Sequence, residues 1–332
     1  MSAQTLLEVR NLRTSFALGE TAVPVVEGID LAVRRGEVLG VIGESGSGKT
    51  VTWMSILRLL PEHAEATTDE FRFEGEEIGG CPESRFRDLR GRRMAMIFQD
   101  PVGSFNPVKT IGWHFREVSR RRASDADHRA GSSDGWRQEA TAALKRVGIP
   151  HGAQILRNYP HQLSGGMLQR ALIALVLQLQ PSLIVADEPT TNLDNIVEHQ
   201  IIQLFRNLKD ETRASFVFIT HDMSVAGKLC DRIAVMYAGQ IVELGAAEDI
   251  LREPKHPYSQ GLVRTATELS QRVERLREIP GELPNYRSLP TGCRFRTRCE
   301  LAREACSEVQ PMRALARGRQ VRCLLYSGSG DA

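Results

Sequence analysis

No stretch of this sequence stays apolar for long. The longest uninterrupted run, residues 171–177, falls far short of the roughly 20 residues that cross a bilayer as a helix, so any role at a membrane must pass through a partner. The first residues, MSAQTLLEVR, lack a basic start followed by an apolar stretch; no secretory signal is expected, and the chain is expected to remain inside the cell, in a reducing compartment. Charge of one sign is not in surplus either. A formal net charge of +2 points to no clustered basic face, and nucleic acid is not an expected partner. There is no internal repeat. Cysteine is sparse, six in 332 residues, and in a reducing compartment structural disulfides are not expected. Its distribution is uneven, with Cys293, Cys299, Cys306 and Cys323 gathered near the C-terminus, while Cys81 and Cys230 stand alone and read as structural or incidental.

What is present is an ordinary globular composition, 41% apolar and 25% charged, long enough for one large domain and a small one. Short β-like runs at residues 6–10, 29–33 and 38–42 alternate with turn signals at Gly19, Gly28 and Gly36. A glycine-rich loop and a helix ending by Pro61 follow, then strand signals at 71–73 and 94–98. Residues 111–147 read as a helical subdomain, interrupted at 120–135 by a polar segment without hydrophobic period, expected to be a mobile surface loop. Strands at 183–186, 216–219 and 233–237, with a helix at 196–209, imply a parallel α/β sheet. Beyond Pro254 the pattern weakens among prolines 257, 280, 284 and 290, which marks a linker into a small cysteine-bearing tail.

Gly43-Glu44-Ser45-Gly46-Ser47-Gly48-Lys49-Thr50 matches the Walker A pattern and stands between an apolar strand and a helix, the context this chemistry requires. Gly46 and Gly48 let backbone N–H groups turn toward phosphates, the helix N-terminus adds its positive dipole, Lys49 supplies a point charge and Thr50 a hydroxyl for Mg²⁺. The run Leu183-Ile184-Val185-Ala186-Asp187-Glu188 is a buried strand ending in two carboxylates. Asp187 would hold Mg²⁺ through its water shell, and Glu188 would polarise an attacking water as general base. Gln99 and His221 also follow strands; either could reach the γ-phosphate end of a nucleotide lying at the C-terminal edge of the sheet. Gln99 is counted with Thr50 and Asp187 as a Mg²⁺ ligand.

The segment Leu163-Ser164-Gly165-Gly166-Met167-Leu168-Gln169-Arg170 resembles the signature motif of ABC ATPases, a helix opened by a serine and two glycines that leaves an anion site free of side chains. The resemblance runs from about Leu6 to the end of the chain. It implies a P-loop ABC ATPase domain, a mixed sheet with a helical subdomain, over residues 1–255 (helical subdomain about 100–170), and a C-terminal extension over 256–332. It further implies that Ser164, Gly165 and Gly166 meet the γ-phosphate of ATP held by a second subunit, so that two chains sandwich ATP head to tail. Gln99 matches the Q-loop, Asn192-Leu193-Asp194 resembles the D-loop with Asp194 as its acid, and His221 matches the switch histidine. Phe16 stands where the family places an aromatic against adenine, the alternative being an ordinary core Phe. Met167 replaces the usual Gln and Asn192 the commoner Ala; neither change removes a catalytic group.

Within that family, Ile97-Phe98-Gln99-Asp100-Pro101, Tyr159-Pro160-His161-Gln162 and Ala186-Asp187-Glu188-Pro189-Thr190-Thr191 resemble the ATPases of oligopeptide, dipeptide and nickel importers. His256-Pro257-Tyr258, Ile279-Pro280-Gly281 and Gly292-Cys293-Arg294-Phe295 with Arg298-Cys299 resemble that subgroup's C-terminal extension. The resemblance implies an ATP- and Mg²⁺-dependent subunit on the cytoplasmic face of the membrane. Its partners would be a second, usually different ATPase subunit, two membrane permease subunits and, indirectly, a solute-binding protein. Nickel or a metal chelate is the alternative cargo to peptide. A soluble ABC ATPase of DNA repair or translation is the rival from another class, but the chain carries neither a long coiled-coil insertion nor a second ATPase domain.

The four clustered cysteines are separated by five, six and sixteen residues. Zinc fingers and ribbons favour closer first pairs, so a 4Fe-4S cluster, zinc, or free or oxidised thiols all remain open. Arg294, Arg296, Arg298 and Arg303 are expected to offset the charge of a cluster.

Overall fold

The computed structural model describes residues 4–19, 21–123, 135–191, 193–271 and 278–326. They divide into two compact units, Met1–Gly80 with Val217–Ala332, and Cys81–Phe216.

In the second unit the strands Met94–Ile97 and Leu183–Asp187 pair in parallel, Met94 opposite Leu183 and Ile97 opposite Ala186. Every residue of both strands is buried, as expected of a parallel pair covered on both faces. Around them stand the helices Ile111–Ala123, Gly135–Arg146, Gly165–Gln178 and Asn195–Glu211. Gly135–Arg146 packs against both Ile111–Ala123 and Gly165–Gln178. Arg170 closes one side by donating to the Val147 carbonyl at 2.7 Å and to Gln200 Oε1 at 2.6 Å. Of the expected surface loop, residues 120–123 belong to the end of a helix and 124–134 lie outside the described residues.

In the first unit, Thr5–Leu18 and Thr21–Arg34 form an antiparallel pair extended by Ala64–Thr67, Glu70–Phe73 and Glu76–Glu77. Gly28 does not make the turn its sequence context suggests. It sits inside Thr21–Arg34 at φ 64°, beside a register slip between Leu12 opposite Ile29 and Thr14 opposite Val26, so it serves a bulge. The strand Val38–Ile42, buried at all five positions, pairs in parallel with Arg232–Tyr237. The antiparallel part of the expected mixed sheet begins there. Ala238 and Gly239, at φ 43° and 81°, form the two-residue turn that suits a hairpin, and Gln240–Ala246 returns antiparallel.

The C-terminal segment continues this edge. Gln320–Val321 pairs with Gln240–Ala246, and Arg313–Ala314 pairs with Gln320–Val321. Where the prolines suggested a linker, the chain forms the 14-residue helix Pro257–Ser270. His256 caps it, its Nδ1 accepting the Tyr258 N–H at 3.1 Å, and Pro257 occupies the first helical position, where its missing N–H costs nothing. Glu243, fully buried, fixes the approach to this helix. Its two oxygens accept the N–H groups of Lys255 and His256, each at 2.9 Å, and Arg319 Nη2 donates to it at 2.7 Å.

His256 is 1% exposed, and burial, with the nearby Arg322 charge, pushes its imidazole down to about 3. In the unfolded chain the same group titrates near 6.5. Between those values only the unfolded state takes up the proton, so this contribution is fully present above 6.5 and is lost as pH falls toward 3. Urea unfolding between pH 7.5 and 5, compared with His256→Asn, which keeps a capping oxygen, should show the native protein losing stability more steeply. The excess slope should approach about 1.4 kcal/mol per pH unit. Equal slopes would assign the pH dependence to other groups.

Candidate active site and cysteine cavity

The glycine-rich loop follows the strand Val38–Ile42 and opens the helix Lys49–Ile56. Gly43 has no room for a side chain, since a Cβ there would stand 2.2 Å from the Met236 carbonyl oxygen. Gly48 takes the left-handed conformation at φ 98° and forms the helix N-cap. Lys49 is buried, its ammonium donating to the carbonyls of Gly43 at 2.8 Å and Glu44 at 3.0 Å, so the charge is held at the loop. Thr50, half-buried, begins the helix beside it, and Ser45 and Gly46 are exposed. Ser47 Oγ is buried with no hydrogen-bond partner among the described residues. Glu44 is held on both sides: its N–H donates to Tyr258 Oη at 2.8 Å, and its carboxylate receives Arg298 Nη1 at 2.8 Å and Nη2 at 3.1 Å. Sequence reading gave Tyr258 no role and assigned Arg298 to a cysteine-bound cluster; no local pattern says that they reach back to the loop.

In the same unit, Phe16 is half-buried near the end of its strand, its ring 5.7 Å from that of His63. It borders an open groove with Leu18, Val23 and Val25 on one side and Asn285, Tyr286 and Arg287 on the other. His221 is exposed directly after the strand Ser215–Thr220.

The second unit carries the acidic group of residues. Because Ile97 lies opposite Ala186 in a parallel pair, two further steps along each strand bring Gln99 level with Glu188. Gln99 Nε2 donates to Glu188 Oε2 at 3.3 Å, and Thr191 Oγ1 donates to the same oxygen at 2.9 Å. Asp187 is buried at the strand end and Glu188 is half-buried. Glu188 takes φ 42°, a left-handed conformation that costs a non-glycine residue on the order of 1–2 kcal/mol. Strain of this kind at a carboxylate aimed out of a strand end is typical of functional positions.

Ser164 caps the 14-residue helix Gly165–Gln178, its Oγ accepting the Met167 N–H at 3.3 Å. Ser164 and Gly165 are exposed, and nothing approaches within 4 Å of a Cβ placed on Gly165. Gly166 is needed for a different reason, because its Cβ would stand 2.8 Å from Val197 Cγ1. Val197 belongs to the helix capped by Asp194, whose Oδ1 accepts the N–H groups of Ile196 and Val197 at 3.0 Å each. The signature helix and the residues after Asp194 are thereby in contact. Asn192 lies outside the described residues.

Cys293, Cys299, Cys306 and Cys323 line one small cavity, closed by His256, Phe295 and Leu324 among others. The Cys293 N–H donates to the Cys306 carbonyl at 2.8 Å. Gly292 permits that approach: at φ 70°, a Cβ on it would stand 2.4 Å from the Cys306 and Glu308 carbonyl oxygens. Burial pushes the thiols of Cys293 and Cys299 up and that of Cys323 to about 11, and neighbouring cysteines act in the same direction. Cys293, Cys299 and Cys323, so placed, stay protonated unless a cation compensates them. Among the described residues no group of three or more His, Cys, Asp or Glu has the geometry to hold a metal ion. The arginines divide in a way the sequence did not suggest. Arg296 and Arg303 border the cavity, but Arg298 is spent on Glu44, and Arg294 on Glu27 and the Ala238 carbonyl.

Among the described residues no helix is long and apolar enough to cross a membrane. Residues 26–191 match the ABC transporter family, and residues 242–306 match the family described as oligopeptide/dipeptide transporter, C-terminal region. The chain is 39% identical over 328 residues to the oligopeptide transport ATP-binding protein AppD of Bacillus subtilis (strain 168), covering 98% of each chain. It is 40% identical over 319 residues to the dipeptide transport ATP-binding protein DppD of Escherichia coli (strain K12), covering 96% of each. A solved dimeric ATP-binding cassette, MJ0796, in a post-hydrolysis state with ADP and Pi, superposes with a TM-score of 0.63 at 24% identity, over 73% of this chain and 99% of that one. The fold is therefore that of a P-loop ABC ATPase, and the chain belongs to the ABC transporter family as an ATPase of its oligopeptide/dipeptide branch.

Proposed function

We propose that this chain hydrolyses ATP to drive peptide import through a membrane permease. The carrying observation is Glu188, a strained, half-buried carboxylate steadied by Gln99 and Thr191 at a strand end. In this reading residues 43–50 cradle the triphosphate and Phe16 meets adenine. Thr50, Asp187 and Gln99 hold Mg²⁺ or its water shell, and Glu188 takes a proton from the attacking water while His221 contacts the γ-phosphate. Mg²⁺, when bound, neutralises charge on the phosphate oxygens. Residues 1–255 act as the ATPase domain, with the helical subdomain at about 100–170, and 256–332 as its extension. The match of the C-terminal region favours peptide over nickel or a metal chelate as cargo.

The exposed Ser164 and Gly165 at a free helix N-terminus support a head-to-tail partner whose ATP they would meet. That partner is proposed to be a second, different ATPase chain. Two permease subunits and a solute-binding protein complete the assembly at the cytoplasmic face of the membrane.

Glu188→Gln should leave ATP binding intact and lower turnover by about 10² or more, as loss of a general base does. Unchanged phosphate release would remove Glu188 from that role. Ser164→Arg should abolish hydrolysis while the isolated monomer still binds ATP, since the ligand of Ser164 belongs to the other chain; parallel loss of monomer binding would contradict the arrangement.

For the cysteine cavity we propose a 4Fe-4S cluster. Supporting it are four thiols on one cavity, three of which, Cys293, Cys299 and Cys323, burial keeps protonated until a metal displaces the proton. One zinc ion would need its four sulfurs about 3.8 Å apart, the edge of a tetrahedron with bonds of about 2.3 Å. A cluster is larger and accepts wider placement. Anaerobic purification should yield a brown protein with about four iron atoms per chain; a colourless protein with stoichiometric zinc would overturn the assignment.

A further inference from the structure

The groove beside Phe16 is walled by two segments far apart in sequence. Its floor is apolar, made by Phe16, Leu18, Val23 and Val25, and its other wall is the 3₁₀ turn begun by Asn285, with Tyr286 and Arg287. At about 400 Å³ it falls within the range of small-molecule sites, with an apolar floor and a few polar groups at the rim.

The groove abuts the phosphate loop at two points. The Val25 carbonyl oxygen lies 3.4 Å from where a Gly48 Cβ would be, so the floor runs directly under the loop. Tyr286 Oη donates to the Gly46 carbonyl at 2.8 Å, tying the opposite wall to the same loop. A loop that turns its N–H groups toward an anion turns its carbonyls away, so this bond can persist when phosphate is bound. Burial pushes the Tyr286 phenol up to about 12, which keeps it a neutral donor at physiological pH. The turn is also internally fixed: Asn285 Oδ1 accepts the Arg287 N–H at 2.9 Å. Arg287 is left exposed at the rim, a planar cation next to an aromatic-lined groove.

We infer that the Asn285–Arg287 turn of the C-terminal extension is the second wall of the nucleobase site, with Tyr286 as its tether and Arg287 covering the base that Phe16 supports. The inference rests on residues 43–50 holding the triphosphate. The chemistry selects a flat heterocycle attached to phosphates: an aromatic on one face, a guanidinium on the other, and an apolar floor between. The extension thus contributes directly to nucleotide affinity, and Arg287 is a specificity residue for nucleotides over base-free phosphates.

The test uses the full chain and two probes, MgATP and Mg-tripolyphosphate, which carries the phosphates without a base. The unsubstituted protein should bind ATP more tightly. Arg287→Ala should weaken ATP about fivefold and leave tripolyphosphate within about twofold. Tyr286→Phe, which keeps the ring but releases the turn from Gly46, should weaken ATP by about threefold or more. Unchanged ATP affinity in Arg287→Ala overturns the inference. Tighter ATP binding does so as well, because the turn would then occupy the base's place. An equal loss of both probes also overturns it, locating the damage in the phosphate loop. Failure of the unsubstituted protein to bind either probe would refute the phosphate-loop reading itself.

Discussion

One guanidinium ties the C-terminal segment to the phosphate loop. Arg298, with its side chain only 5% exposed, forks onto both oxygens of Glu44 and donates through Nε to the Pro280 carbonyl at 2.7 Å. A bidentate, charge-assisted bond onto a carboxylate that is itself partly solvated contributes on the order of 1–3 kcal/mol. Its location matters more than its size. Arg298 immediately precedes Cys299, so the wall of the cysteine cavity and the second residue of the phosphate loop are joined by a single pair of side chains. Tyr258 holds the Glu44 N–H, and the rings of Tyr237, Tyr258 and Phe295 pack together, Tyr237 edge-on to the other two, with centroids 4.7–5.4 Å apart. The extension is therefore a structural part of the first unit and not an appendage.

The same unit buries several charges and pairs them. Glu243 sits at the centre of the antiparallel edge with no exposure, yet two backbone N–H groups and Arg319 complete its coordination. Removing a partner from such a group typically costs about 3–5 kcal/mol, which makes this edge a rigid base for the helix Pro257–Ser270. Rigidity there positions Tyr258, and through it the loop. In the second unit the economy is different. Strain is kept at Glu188, where the parallel register alone would leave the carboxylate on the strand, and Thr191 and Gln99 hold it in its turned position.

Much of this was legible in the sequence, because local chemistry decided it. The strand at 38–42, the glycine spacing after it, and the apolar run ending in Asp187 and Glu188 each specify their own conformation within a few residues. The serine and two glycines at 164–166 likewise announce a bare helix N-terminus. Where local signals were ambiguous, the reading failed for identifiable reasons. Gly28 offers the left-handed backbone that both a turn and a bulge require, and only its partner strand chose between them. Prolines near residue 257 suggested a break, but Pro257 is compatible with a first helical position once His256 caps it. The four arginines near the cysteines looked equivalent; two are taken by acids, Glu27 and Glu44, that lie more than two hundred residues away in sequence.

The sequence by itself determined a glycine-rich loop between a strand and a helix, paired acids at a strand end, and a helix opened by a serine and two glycines. These properties reside in contiguous residues whose backbone preferences are nearly independent of the remainder. Only the tertiary structure decided that the cysteine-bearing extension belongs to the nucleotide-binding unit. Arg298 meeting Glu44, Tyr286 meeting Gly46 and four thiols meeting in one cavity are contacts across long loops of chain, made favourable by packing and burial and encoded in no local pattern.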